Sequence, residues 1–518
     1  MTERDALLAA IRAHPEDDTP RLVFADWLDE HEPDAPRRAK KAKAAAPSAW
    51  AGLIRAECEL ARLADDGSAS AAAFGFFMAK DEQSLRGVRW DRADAGVARR
   101  VELYTLANRL RGPSGKARNV GRPKEAMAFS WSAATHRGFP QGLTVDNGWK
   151  LAANLPALAA RCPPVRVDFN VYTATALTNA GELVAAGLPR WCRELRVNAR
   201  DPGHADLVVA LSAHPDTANV HALYLALGDG PDSARALAAV ADSPHWSGLR
   251  ELTLEAEAAV SPEPLSRLFQ AAHLRGLVRL TAHGRAPGGA VVLAARLGGL
   301  SELRTLALAN CGLADGDTIS LANSPALANL RHLDLQSNHF GGRGASALLA
   351  SPHLTNLAVL DLDYNNPIRG LDRAALASAP AGGLRVVGFH GARLTTNDIA
   401  ALTASPRLAE LVYFDADYNE LAESAVARMV KGFGERPPAV LYLRGNNIAT
   451  AGVAALTNWP AAARVDMLHL AGNVLPTPAA KALASCPHLK GLKHLCAATT
   501  HPAGRKALMT CFGPRASV

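Results

Sequence analysis

LRTLALANC from Leu303, LRHLDLQSN from Leu330 and LAVLDLDYN from Leu357 are one pattern repeated every 27 residues. The same phase returns at Leu384, Leu411, Pro438, Val465 and Leu492, which open LRVVGFHGA, LVYFDADYN, PAVLYLRGN, VDMLHLAGN and LKHLCAATT. Each stretch puts apolar residues at its first, fourth and sixth positions and is followed by an Ala- and Leu-rich piece such as GASALLASPHL from Gly344. A short strand, a turn and a helix per period is the reading. One such unit cannot bury its own apolar face, so neighbours must stack, with Leu306, Leu333 and Leu360 as interior neighbours on parallel strands.

The ninth position is Asn at Asn338, Asn365, Asn419, Asn446 and Asn473, and Cys at Cys311. A side chain there can bond turn backbone that a tight coil leaves unpaired. Pro325, Pro352, Pro406, Pro460 and Pro487 share a phase and are expected to stop each helix. Upstream, the strand pattern recurs in PVRVDFNV (Pro164), CRELRVNA (Cys192), VHALYLAL (Val220), LRELTLEA (Leu249) and LVRLTAHG (Leu277), which brings the array to about thirteen turns. FPQGLTVDN from Phe139 is a possible further, degenerate strand, with Leu143 and Val145 at the fourth and sixth positions.

The strand-plus-helix repeat over residues 160 to 500 resembles the ribonuclease-inhibitor-like class of leucine-rich repeats. The resemblance implies an α/β fold: a right-handed leucine-rich-repeat solenoid with a parallel inner sheet and outer helices. It also implies a binding scaffold, since family members mostly bind proteins; one eukaryotic branch activates the GTPase Ran.

Apolar residues make up 48% and charged residues 20% of the 518, so a packed chain rather than a disordered one is expected. No charged-then-apolar leader and no long apolar run is found, which gives a cytoplasmic address by default. Cys58, Cys162, Cys192, Cys311, Cys486, Cys496 and Cys511 are odd in number and scattered, and read as buried thiols in a reducing compartment. The net charge of +7 is concentrated between Arg86 and Arg137, where twelve Arg and Lys face four acids. Such a block could meet nucleic acid or an acidic surface, or be a solvated arginine-rich face.

The amino-terminal stretch has another texture. Thr2 and Asp5 form a capping pair for a first helix, Thr19 is the expected cap of a second that begins at Pro20, and GLIRAECELARL from Gly52 to Leu63 is a third. LLAAIRAHPEDDTPRLVFADWLDEHE with LIRAECELARL resembles the repeat-companion domain at the start of many bacterial leucine-rich-repeat proteins, and HRGFPQGLTV (His136 to Val145) resembles the segment that precedes their repeats. The implied organisation is a small all-α companion domain at 1–63 with a basic insertion at 33–51, and a basic linker at 64–136. A cap at 137–163, repeats at 164–500 and a terminal cap at 501–518 complete it. The companion helices are expected to cover the free edge of the first strand, and VARRVELYTLANRL to form a helix through Val97, Val101, Tyr104 and Leu110.

The third, fifth and seventh positions of each strand should point away from the core. Asp334, Asp361, Asp415, Tyr442 and His469 at the fifth, Gln336, Asp363, His390, Asp417 and Arg444 at the seventh, with Tyr364, Tyr413 and Tyr418, then make an acidic, tyrosine-bearing patch on the concave face. Tyrosine gives contact area and carboxylates favour a basic partner, so a protein or peptide is expected there; polar residues kept only for solubility are the plainer alternative. Asp334 and Asp361 on adjacent strands could flank a cation or act as an acid/base pair. Cys486, His488, His494 and Cys496 have superficially zinc-like spacing, but their phases send them in different directions. No catalytic residue, cofactor or metal is expected. A nucleic-acid adaptor using the 86–137 block and a Ran-activator-like GTPase regulator are the rival readings.

Overall fold

The structure, a computed structural model, describes residues 2–14, 17–32, 48–64, 66, 68–80, 88–111, 130–131, 135–136, 139–140, 142–145, 148–161, 165–169, 177–256, 260, 262–284, 289, 301–499 and 501–517. The chain forms two compact units. Unit 1 comprises Met1–Asp66 with Arg99–Arg279, and unit 2 comprises Gly67–Ala98 with Leu280–Val518.

In unit 1, helices α1 (Glu3–Ala13), α2 (Thr19–His31) and α3 (Ala49–Ala64) enclose Ile11, Phe24, Leu28, Trp50, Ile54 and Cys58. Thr2 and Asp5 cap α1 reciprocally, as expected. At α2, Asp18 holds the cap position without a side-chain bond, and Thr19, whose N–H donates to Asp17 Oδ1 at 2.8 Å, is already helical. Helix α3 starts at Ala49 rather than Gly52, because Trp50 packs edge-on against Phe24 at 5.2 Å and draws that turn into the core. The expected insertion therefore ends before residue 49, and residues 33–47 lie outside the described residues.

Among the later helices, α4 spans Ala69–Lys80, α5 Trp90–Ala93 and α6 Ala95–Arg111. The buried face of α6 runs through Val97, Arg100, Leu103 and Ala107, which shares only Val97 with the expected Val97, Val101, Tyr104 and Leu110. Leu103 and Ala107 pack on Leu53 and Ala56 of α3. Arg100 bonds the Leu63 carbonyl at 2.6 Å and Asp66 at 2.5 Å, and those acceptors set the phase.

The strands of unit 1 are β1 (Ser130–Trp131), β2 (Thr135–His136), β3 (Phe139–Pro140), β4 (Gly142–Thr144), β5 (Val165–Asp168), β6 (Cys192–Asn198), β7 (Ala222–Leu227) and β8 (Glu251–Ala256). From β4 to β8 each pairs in parallel with the next. The degenerate strand is thus real, with Leu143 opposite Val167 and both buried. Its outer edge is closed by β1, which pairs with β4 antiparallel, and not by the companion helices.

After β9 (Arg279–His283), the strands of unit 2 are β10 (Thr305–Ala307), β11 (His332–Asp334), β12 (Val359–Asp361), β13 (Val386–Gly388), β14 (Tyr413–Asp415), β15 (Val440–Tyr442), β16 (Met467–Leu475), β17 (His494–Thr499) and β18 (Ala516–Ser517). From β10 to β17 the fourth positions fall in register: Leu306, Leu333, Leu360, Val387, Phe414, Leu441, Leu468 and Leu495. Each is at most 2% exposed, and burying a side chain of this size contributes about 1.5–3 kcal/mol. The prolines act one step later than expected. The helix Asp315–Ala322 has ended before Pro325, which opens a short 3₁₀ turn, and Pro406 and Pro460 do the same. At the far edge β18 pairs with β17, beside the helix Pro502–Phe512.

The ninth-position asparagines form a buried ladder. Asn446 Oδ1 accepts from the N–H groups of Asn419 and Leu421, each at 3.0 Å, while its Nδ2 donates to the Ala416 carbonyl at 2.9 Å. Asn338, Asn419 and Asn473 make matching bonds to the turn of the preceding repeat. Asn446→Ala strands three backbone groups away from water at about 1–3 kcal/mol each before relaxation. Thermal denaturation of that variant should show unit 2 destabilised by about 3 kcal/mol or more; an unchanged transition would mean the ladder is incidental.

Candidate functional site

The expected face lies in unit 2, and all thirteen predicted residues fall on it in a connected network. Asp334, Asp361 and Asp415, at the ends of three-residue strands, accept the N–H groups of Gln336 (3.1 Å), Asp363 (3.1 Å) and Asp417 (2.8 Å). One turn further on, Asp363 accepts the His390 N–H at 2.8 Å and Asp417 the Arg444 N–H at 2.5 Å. The carboxylates therefore fasten strand ends as well as charging the surface. Gly388 opens the space for them, since a Cβ there would lie 2.6 Å from Asp363 Oδ1.

The face is not open along its length, contrary to the expectation of a solvent-facing wall. Helix α4 lies against β12. Its Lys80 ammonium bonds Asp361, reaches Gln336 Oε1 at 3.2 Å and stands 3.9 Å from Asp334. Phe76 and Phe77 meet Tyr413 with ring centroids 5.3 and 5.7 Å apart, and Phe77 also packs on Trp90 of α5 at 4.9 Å. Asp361 and Tyr413 are consequently 1% and 4% exposed. Asp334 and Asp361, which on sequence could have flanked a cation or acted as an acid/base pair, are instead met by the chain's own Lys80 ammonium.

Beyond the helix the face is uncovered. Tyr364 and Tyr418 are 56% and 42% exposed. The Tyr364 hydroxyl lies 2.9 Å from His390 Nε2, the His390 ring meets Tyr418 at 5.0 Å with a 40° tilt, and the Arg444 guanidinium stands 5.3 Å over the Tyr418 ring. Gly445, at φ +60°, sits where the Tyr418 ring passes, so a side chain there is excluded by backbone and space together. Tyr442 continues the row between Tyr413 (5.3 Å) and His469 (4.8 Å).

Crowded carboxyls have altered acidity. Burial, then the Asp361 charge, pushes Asp334 up to about 6 against the pull of Lys80, and the same two causes push Asp363 up to about 8. Asp417 rises to about 6 by burial, and Asp415 rises well above the ordinary value by burial, then the charges of Asp417 and Asp363. Burial alone would lower Lys80, but Asp361 and Asp334 outweigh it and hold the ammonium above its usual value. A carboxyl with a raised folded pKa binds more protons folded than unfolded. Its stabilisation is therefore present at low pH and is lost as pH climbs from about 4 toward 8. Lys80 remains charged throughout that window. Scanning calorimetry should find unit 2 melting higher at pH 5.5 than at pH 8, by about 2–4 °C per kcal/mol, and Asp363→Asn should flatten the slope. A melting point that rises with pH in this range would refute the assignment.

His390, Asp415 and Asp417 offer ligand atoms within 4.8 Å of one another. Three of their acceptor positions are already engaged: Asp415 by the Asp417 N–H and, at 3.3 Å, the Tyr413 hydroxyl, and Asp417 by the Arg444 N–H. The zinc-like set is dispersed, with Cys486 Sγ directed at the Thr457 carbonyl (3.3 Å) and His494 stacked on His469. Cys58, Cys192, Cys311 and Cys486 are buried as expected, burial pushing the Cys192 thiol up to about 12, whereas Cys496 and Cys511 are half-buried. Cys162 is outside the described residues.

The basic block is partly consumed internally. Arg89 bonds Asp466 in unit 2, and Arg99 bonds Glu59 and Glu102 in unit 1. Residues 112–129 are outside the described residues. Lys80, Phe76, Phe77, Arg89 and Asp466 escaped the sequence reading. The available signal was ASAAAFGFFMAK itself, since a helix apolar nearly all round must be buried on more than one side.

Strand, turn and helix stacked on a constant register with an asparagine ladder define a leucine-rich-repeat fold. A family profile described as "Leucine Rich repeat" matches residues 326–349. Among solved structures, the chain is similar to an internalin, InlF of Listeria monocytogenes, at 17% identity over 69% of this chain and 92% of that one, with a TM-score of 0.38. It is also similar to the yeast Rad7 and Elc1 complex, at 13% identity over 62% of this chain and 84% of that one (TM-score 0.30). A TDR receptor matches at 13% identity over 61% of this chain and 56% of its own length (TM-score 0.32). No curated protein matches the sequence. No helix among the described residues is long and apolar enough to cross a membrane.

Proposed function

We propose that the chain is a non-enzymatic interaction scaffold whose strand face in unit 2 binds a protein segment bearing aromatic residues followed by a basic one. The observation that carries this reading is the seating of α4. Its paired phenylalanines rest on Tyr413, and its lysine enters the Asp334 and Asp361 pair. A surface that accepts that helix in cis has the chemistry to accept a similar one in trans. The uncovered Tyr364, His390, Tyr418 and Arg444 row supplies the adjoining contact area, and exposed aromatics beside Arg are the residue types that dominate protein recognition. Repeats of 27 residues with a helix in each support the ribonuclease-inhibitor-like class. Free thiols at Cys58, Cys192, Cys311, Cys486, Cys496 and Cys511 support a reducing, cytoplasmic setting, and the companion-domain resemblance supports a bacterial source.

The test uses the peptide ASAAAFGFFMAK, residues 69–80, as probe. The full chain carrying Phe76→Ala, Phe77→Ala and Lys80→Ala should bind it in a fluorescence anisotropy titration. The wild-type chain, with its own helix in place, should bind it about tenfold or more weakly. Adding Asp361→Asn to the triple variant should weaken binding again. No saturable binding by the triple variant would end the proposal.

A further inference from the structure

At the opposite margin of the same strands lies a feature that the peptide-binding face does not use. Residues at the second position of successive repeats, Arg385, Val412, Ala439 and Asp466, emerge at the start of β13 to β16, and Arg89 with α5 lies over them. Between them is a cavity of ≈590 Å³, within the about 300–1,000 Å³ usual for small-molecule sites. Its charged lining is Arg89, Arg92, Arg385, Arg436 and Arg464 against Glu410 and Asp466.

These arginines are unequally satisfied. Arg89 is held by Asp466, its own N–H reaching Asp466 Oδ2 at 2.8 Å. Arg385 pairs with Glu410 at 3.2 Å, yet its Nε is buried without a hydrogen bond, Asp94 standing off at 3.9 Å. Arg464 donates to the Glu435 carbonyl, at 2.9 Å, and to no carboxylate among the described residues. The guanidinium groups of Arg92 and Arg436 have no carboxylate partner among the described residues, and both residues are exposed. With Arg89 and Arg385 paired to Asp466 and Glu410, Arg92, Arg436 and Arg464 leave an excess of three positive charges around one hollow, and low-dielectric walls concentrate their field on whatever enters. The planar fork of arginine is suited to phosphate oxygens, which it can bind in pairs.

We infer that this cavity binds a small molecule of nucleotide size carrying two or more phosphate groups, with Arg92, Arg436 and Arg464 as the principal contacts. The inference is independent of the peptide-binding face, which lies on other side chains.

Calorimetric titration of the full chain with ATP and with inorganic pyrophosphate tests it. Both probes should bind saturably at one site per chain. Arg92→Ala with Arg436→Ala should weaken both by about tenfold or more, as expected for lost hydrogen bonds between charged groups. Neither guanidinium has a carboxylate partner among the described residues, so the melting temperature should hold. Arg505→Ala with Lys506→Ala removes the same charge from exposed positions of the helix Pro502–Phe512 that do not line the cavity, and should leave binding within about twofold, as expected of solvent-screened charges. Three results would overturn the inference: no saturable heat with either probe, equal weakening by the two double variants, or binding of a phosphoserine peptide with none of pyrophosphate.

Discussion

Leu360→Asp should leave unit 2 without a cooperative unfolding transition. Leu360 is fully buried on β12, in register between Leu333 and Val387. The substitution removes the leucine's burial, about 1.5–3 kcal/mol, and places a carboxyl where no polar partner can reach it, for several kcal/mol more. Set against a typical domain stability of about 5–15 kcal/mol, the sum is enough to unfold the repeats. Because each repeat rests only on its neighbours, the damage should spread along the stack. Circular dichroism during urea titration would show a shallow or absent transition for unit 2, whereas Leu360→Met should shift the midpoint only slightly. Wild-type unfolding of the Asp variant would mean that the fourth position does not face the interior.

The second large effect is local. Phe77→Asp should strip α4 from the strand face while leaving the repeats standing. Phe77 is fully buried among Phe76, Trp90 and Tyr413. Losing such a ring costs about 3–5 kcal/mol, and the new carboxylate would be buried among aromatic rings. The strand register and asparagine ladder contain no residue of α4, so they should persist. Hydrogen exchange is the discriminating measurement. Amides 70–80 should exchange about 100-fold faster or more, as follows from the lost packing energy, while those of β11 to β15 keep their protection. Unchanged protection in 70–80 would show that the helix is held by something other than Phe77.

What the sequence disclosed and what it concealed divide along a physical line. The repeat announced itself because the same demand recurs every 27 residues: Leu333, Leu360 and Leu441 must meet a like residue above and below, and Asn338, Asn419 and Asn446 must each close a turn. Even the degenerate strand was legible, since Leu143 and Val145 kept the inward phase. Helix α4 answers to a few unrepeated contacts, and no periodicity marks a bond between Lys80 and a carboxylate hundreds of residues away. Asp466 was hidden for a similar reason. At the second position of a repeat it resembles the surface residues found there elsewhere, and only its pairing with Arg89 gives it a role. The acids and aromatics of the candidate face were legible but its partial cover by α4 was not, because strand alternation tells which side chains leave the core, whereas it does not tell what lies over them.

Lys80 and Asp361 are separated by 281 residues of sequence. With a ribosome adding roughly 5–20 residues per second, α4 is made on the order of half a minute before the strand it rests on. During that interval a greasy helical segment has no native home, so a nascent chain stalled after residue 300 should be a better client for holding chaperones than one stalled after residue 470.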